Sequence, residues 1–124
     1  MVRKKGLGPL EHQIMDIIWK QKKATVYSVV DELCNEKQLA YTTIMTVMTR
    51  LAKKGILTRE KKGKTYIYKP KESKKTFIQE LVRSTISKTV DMFGAEALAA
   101  FVDESEQLSK EHTEKLLSKI DNGN

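Results

Sequence analysis

The segment Tyr41-Thr42-Thr43-Ile44-Met45-Thr46-Val47-Met48-Thr49-Arg50-Leu51-Ala52-Lys53-Lys54-Gly55 decides the fold. Ile44, Val47, Met48 and Leu51 recur at i, i+3, i+4 and i+7, the spacing of one buried helix face. That spacing predicts a helix from about Tyr41 to Lys54. Gly55 is its natural stop, and Lys53 and Lys54 suit the negative end of its dipole. With the apolar stripe turned inward, Thr42, Thr43, Thr46, Thr49, Arg50 and Lys53 share the opposite face. No acid interrupts them. Threonine hydroxyls can hydrogen-bond phosphates or base edges, and their methyls can contact thymine. Arg50 can make a bidentate contact to guanine or clamp a phosphate. A face of small residues also lets a helix seat deeply in a major groove about 12 Å wide. The plainer alternative is an ordinary solvated face. β-branched threonines are poor choices for that purpose, because they lower helix propensity.

Two helices are expected before this one. The first begins near Gly8-Pro9, where proline is tolerated at the first helical position. Leu10, Ile14, Ile17 and Ile18 form its stripe, which Met15 and Trp19 widen; Lys20 to Lys23 end it. The second starts after Thr25, a residue suited to an N-cap, and buries Val26, Val29, Val30 and Leu33. A polar connection, Asn35 to Gln38, leads into the decisive segment. After Gly55, Leu57–Glu60 and Thr65–Tyr68 alternate as strands do. Lys61-Lys62-Gly63-Lys64 lies between them, and Gly63 can supply the positive φ of a tight hairpin. Helix, helix, helix and basic hairpin make a winged helix-turn-helix. On this reading the wing lysines, Lys62 and Lys64 foremost, add salt-dependent affinity for phosphates. Arg3, Lys4 and Lys5 are a weaker candidate for a basic arm. A small α+β domain whose hairpin has no nucleic-acid role is the bland alternative.

Composition agrees with an anionic partner. The 124 residues carry a formal charge of +7, and 40% are hydrophobic, enough for a folded domain. The charge is uneven: residues 1–70 hold 15 Lys and Arg against 6 Asp and Glu, whereas residues 71–124 hold 8 against 10. Two jobs are therefore expected, a DNA-binding domain over 1–70 and a helical dimerisation domain over 71–124, joined at Lys69-Pro70-Lys71.

The second part is mainly helical. A long helix is expected over Glu72–Phe93, with Ser73 as a candidate N-cap and Gly94 as its breaker. A shorter helix carries Ala95 to Val102, and a last one begins at Ser109. Their apolar faces hold Ile78, Leu81, Val82, Ile86, Phe93, Leu98, Phe101, Leu116 and Ile120. Packing onto the first helix could cover some of these residues. A second chain would cover them better.

The chain at this point resembles a known family. Leu7-Gly8-Pro9-Leu10-Glu11 through Ile14-Met15 and Ile18-Trp19 is similar to the opening of the penicillinase-repressor (BlaI/MecI-like) family. So are Ala40 through Leu51, Lys54-Gly55-Ile56-Leu57-Thr58-Arg59 and Gly63 through Pro70. The resemblance implies a homodimeric winged-helix repressor of an inverted-repeat promoter operator, in a β-lactam-resistance or similar stress-response operon. It implies that Thr42, Thr43, Thr46 and Arg50 sit in the major groove and that the wing with Lys62 and Lys64 grips the backbone. It also implies relief by disruption of the C-terminal module, through proteolysis before a Phe by a membrane sensor protease. The matching bond is Ala100–Phe101. The family residue before that Phe is Asn, and here it is Ala100. A copper-responsive branch uses a C-terminal cysteine cluster; no cysteine follows Cys34, so that reading fails.

Other classes find little support. A single cysteine allows no intramolecular disulfide and no cysteine cluster. Cys34 reads as a small, semi-buried helix residue. No apolar run approaches the roughly 20 residues of a bilayer span, and Met1–Lys5 leads into no signal-peptide core. A cytoplasmic protein is expected. His12 and His112 lack partner ligands, so no metal, cofactor or small-molecule substrate is expected. No catalytic constellation is evident, and the carboxylates of Asp31-Glu32 and of Asp103-Glu104 do not converge on a helix. Two alternatives stay open: a non-specific architectural DNA binder, and a winged-helix protein-interaction module.

Overall fold

A computed structural model describes residues 6–34 and 40–122. The Asn35–Gln38 connection and the Arg3–Lys5 arm lie outside the described residues, as do the side chains of Cys34 and Ile120. The elements run α1 (Pro9–Gln21), α2 (Val26–Cys34), α3 (Tyr41–Lys53), β1 (Leu57–Lys62), β2 (Thr65–Pro70), α4 (Lys74–Phe93) and α5 (Glu96–Asn122). The chain divides into two compact units, the first ending at Gln79 and the second beginning at Glu80.

In the first unit the three helices bury the faces their spacing predicts. Ile14, Met15 and Ile18 of α1 meet Val29 and Leu33 of α2 and Ile44, Met48 and Leu51 of α3. Leu57 and Tyr68 of the hairpin close the same core. Burial of each such side chain is worth about 1.5–3 kcal/mol, which outweighs the weak helix propensity of the threonines in α3.

The ends of the helices follow from local chemistry. At α1, Glu11 reaches back so that its carboxylate accepts the Gly8 N–H at 2.9 Å. At α2, Thr25 and Ser28 cap reciprocally: each side-chain oxygen accepts the other's backbone N–H, at 3.1 and 3.0 Å. At the end of α3 the Ile56 N–H bonds to the Leu51 carbonyl and the Gly55 N–H to that of Ala52, a Schellman closure. It requires the left-handed backbone at Gly55, whose φ is +81°. Ser73 caps α4 by accepting the Thr76 N–H at 3.1 Å.

The hairpin is longer than the alternation predicts. Antiparallel pairing runs from Leu57↔Pro70 to Lys62↔Thr65. Lys61 and Lys62, expected in the loop, therefore belong to β1, and only Gly63 and Lys64 turn the chain. Gly63, with φ +63°, permits so short a loop, and the extra pairs satisfy more backbone groups. A bridge between Ala24 and Tyr68, bonded in both directions at 2.7 and 2.9 Å, ties the hairpin to the α1–α2 connection.

The C-terminal elements correct one expectation. The separate helices foreseen over Ala95–Val102 and from Ser109 are a single helix, α5. The intervening Asp103-Glu104-Ser105-Glu106-Gln107-Leu108 contains no glycine or proline to stop it. Ser105 spends its hydroxyl on the Val102 carbonyl, 2.9 Å away, instead of capping a new helix. Gln107 bonds Glu111 one turn on at 3.2 Å. Gly94, with φ +78°, ends α4 as expected.

Candidate nucleic-acid interface

The anchored stripe of α3 leaves its other face outward. Thr42, Thr43, Thr46, Arg50 and Lys53 are all exposed on it, and Thr49 is half-buried. Ala40 precedes α3 without a side-chain cap, and the Thr43 N–H bonds to its carbonyl at 3.0 Å. Thr46 donates its hydroxyl to the Thr42 carbonyl and Thr49 donates to that of Met45, both at 2.8 Å. Their protons point into the helix, which leaves oxygen lone pairs and methyl groups for a partner. Such a surface suits amino groups and thymine methyls of base edges.

Lys54, one position beyond α3, is not part of this face. Its ammonium lies 3.0 Å from the Glu11 carboxylate and pins the end of α3 to the start of α1. The Gly8 N–H and then Lys54 hold the Glu11 carboxyl below the ordinary carboxylate range.

Lys62 and Lys64 are exposed at the closed end of the hairpin. Sequence reasoning passed over two further features of this unit. Tyr27 and Tyr41, exposed at the starts of α2 and α3, pack with ring centroids 4.7 Å apart and planes inclined by 44°. Arg59 of β1 lies over the Tyr66 ring, 4.2 Å from its centroid, and donates from Nη1 to the Tyr68 hydroxyl at 3.3 Å. That hydrogen bond, more than its neighbours' charge, raises the guanidinium's pKa above its ordinary value. The strand register would have indicated the second cluster, because Arg59 pairs with Tyr68 and its same-face neighbour Lys61 with Tyr66.

The residues expected at a dimer interface divide. Ile78, Val82, Phe93, Leu98 and Leu116 are exposed, while Leu81, Ile86 and Phe101 are half-buried. The end of α4 and the first half of α5 border an open apolar groove of about 480 Å³, lined by Phe93, Ala97, Ala100, Phe101 and Leu108. The Ala100–Phe101 bond lies in the first turns of α5. His12 faces solvent and lies 3.7 Å from Asp16; His112 is exposed. The described residues contain no group of three or more metal-ligating side chains and no helix long and apolar enough to cross a membrane.

The family model described as "Penicillinase repressor" matches residues 7–122. The chain belongs to the penicillinase repressor family. This is a family of transcriptional repressors and not of enzymes. The chain is 31% identical over 110 residues to the methicillin resistance regulatory protein MecI of Staphylococcus aureus, covering 89% of each chain. It is 31% identical over 105 residues to the transcriptional regulator BlaI of Mycobacterium tuberculosis, covering 83% of this chain and 76% of that one. A solution structure of Bacillus licheniformis BlaI, in monomeric form in complex with the blaP half-operator, superposes with a TM-score of 0.50 at 30% identity. It covers 59% of this chain and 90% of that one. The winged helix-turn-helix expected from the spacing in α3 is thus the fold of this family member.

Proposed function

We propose that the protein is a homodimeric repressor that occupies an inverted-repeat operator and excludes polymerase. Residues 1–70 bind DNA on this reading and 71–124 dimerise. The observation that carries it is the face of α3: three exposed threonines with Arg50 and Lys53, presented outward by a fully buried Ile44–Met48–Leu51 stripe. Thr42, Thr43, Thr46 and Arg50 enter the major groove, Lys53 takes a flanking phosphate, and Lys62 and Lys64 grip the backbone. The half-operator complex of the related BlaI supports duplex DNA as the partner.

Dimerisation rests on surface chemistry. Phe93, Val102, Leu108 and Leu117 are each at least 56% exposed, an apolar surface that a second copy would cover. Two α3 helices related by a two-fold axis would then read half-sites about one DNA turn apart, or a multiple of that. Loss of the dimer would release DNA without altering α3. Proteolysis at Ala100–Phe101 is one route, and a membrane sensor protease is the partner it needs. Because the bond lies within a helix, α5 must open locally before a protease can extend it. The repressor acts in the cytoplasm, on a β-lactam-resistance or similar stress-response operon.

A salt titration of duplex binding separates the readings. A repressor shows affinity that falls steeply with salt, a shallower slope when Lys62 and Lys64 are changed to Gln, and preference for its operator. An architectural binder shows the salt dependence without the preference. A protein-interaction module shows neither.

A further inference from the structure

We propose that Arg59 is a preorganised phosphate clamp for duplex DNA, fixed by Tyr66 and Tyr68 at the base of the hairpin. The proposal rests on the DNA-binding reading above and adds to it a contact separate from the recognition helix and the wing lysines.

The register of β1 puts Leu57, Arg59 and Lys61 on one face, opposite Pro70, Tyr68 and Tyr66. This face is core at Leu57 and Tyr68 and reaches solvent at Arg59 and Tyr66. Tyr68 is only 1% exposed, and its backbone is bonded both ways to Ala24. Its hydroxyl is therefore a fixed point, and the Arg59 Nη1 is tethered to it at 3.3 Å. The guanidinium carbon lies over the Tyr66 ring, 4.2 Å from its centroid. Two contacts thus restrain a long, rotamer-rich side chain before any ligand arrives.

That pose leaves donors unused. A guanidinium has five N–H groups, and Tyr68 takes one. Among the described residues no carboxylate pairs with Arg59. Glu60, next in sequence, belongs to the opposite face of the strand. A planar fork set over an aromatic ring, with most of its donors unspent, matches two oxygens of a phosphodiester. Position favours a phosphate over a base. Arg59 stands four residues before Gly63, about 14 Å back from the loop at the strand rise. On the DNA-binding reading the loop is the part that would enter a groove, and a residue this far back would meet the backbone beside α3.

The test measures affinity against salt for the full chain and three variants, on a mixed-sequence duplex and on a duplex selected for tight binding. Thermal unfolding is recorded in parallel. Arg59→Ala is expected to lose about tenfold on both duplexes and to lower the salt slope by about one. Arg59→Lys should keep the slope but not regain full affinity. Tyr66→Leu should likewise keep the slope and bind several-fold more weakly. Wild-type affinity in a folded Arg59→Ala variant overturns the clamp. So does a loss confined to particular sequences, which would mark a base contact. Where Arg59→Ala unfolds, Arg59→Lys decides, and wild-type affinity there overturns the fork. If wild-type protein binds neither duplex, the DNA-binding reading falls and takes the clamp with it. If wild type binds and only the Arg59 result fails, the clamp falls alone.

Discussion

The indole of Trp19 packs against the phenyl ring of Phe77, with centroids 5.4 Å apart and planes inclined by 53°. Trp19 Nε1 also donates to the Glu72 carbonyl at 3.1 Å, and Lys74 pairs with Asp16 at 2.9 Å. The first turn of α4 therefore packs with α1, and the first compact unit runs past Pro70 to Gln79. Phe77 of α4 is thus covered within the chain, whereas the next residue, Ile78, is exposed.

Phe77 is only 3% exposed, so Phe77→Ala leaves a cavity beside α1 and should cost about 3 kcal/mol. Trp19 is the sole tryptophan, so its fluorescence during urea unfolding reports on this contact directly. An unfolding midpoint equal to that of wild type would show that the ring contact contributes nothing.

What could be read in the chain beforehand was what neighbouring residues decide. The stripe of α3, the Gly55 stop, the Thr25 and Ser73 caps and the positive φ of Gly63 depend on residues within a few positions of each other. The Trp19–Phe77 contact and the Ala24–Tyr68 bridge join residues more than forty apart. No local pattern encodes those. The continuity of α5 was not legible for another reason: the acidic stretch after Val102 interrupts the apolar spacing but has good helix formers and no breaker. At the candidate site the face of α3 was legible because the buried stripe defines its opposite. The Arg59 cluster was not, because it depends on strand register.

Glu11 makes stability depend on acid. Its folded carboxyl is depressed by the Gly8 N–H and Lys54. A depressed folded pKa adds stability that is present above the unfolded value, near 4.5, and is lost as pH falls through the folded value. Wild type should thus lose melting temperature below about pH 4.5, beyond the loss common to all its carboxylates. Glu11→Gln should be less stable by about 1 kcal/mol at neutral pH and should lack that increment. Parallel acid profiles for the two proteins would disprove the pairing.

Gly55→Ala tests the closure of α3. An added Cβ meets only Lys71 Nζ, at 3.8 Å, so space is no obstacle. The left-handed φ alone should cost about 1 kcal/mol. Calorimetry should show a lower melting temperature. An unchanged one would mean the backbone relaxes elsewhere.

Arg50 is exposed on α3, away from the core. Arg50→Ala should therefore preserve the melting temperature and lose at least about 1 kcal/mol of operator affinity, measured by fluorescence anisotropy. Equal affinity would remove Arg50 from the interface.

On this reading two copies of the chain recognise one inverted repeat through their α3 faces. Its most direct test is selection of bound duplexes from a random DNA pool, with the mass of the selected complex determined under native conditions. An enriched inverted repeat carrying two chains is the expected result. A pool without an enriched sequence, or a selected duplex saturated by one chain, would contradict it.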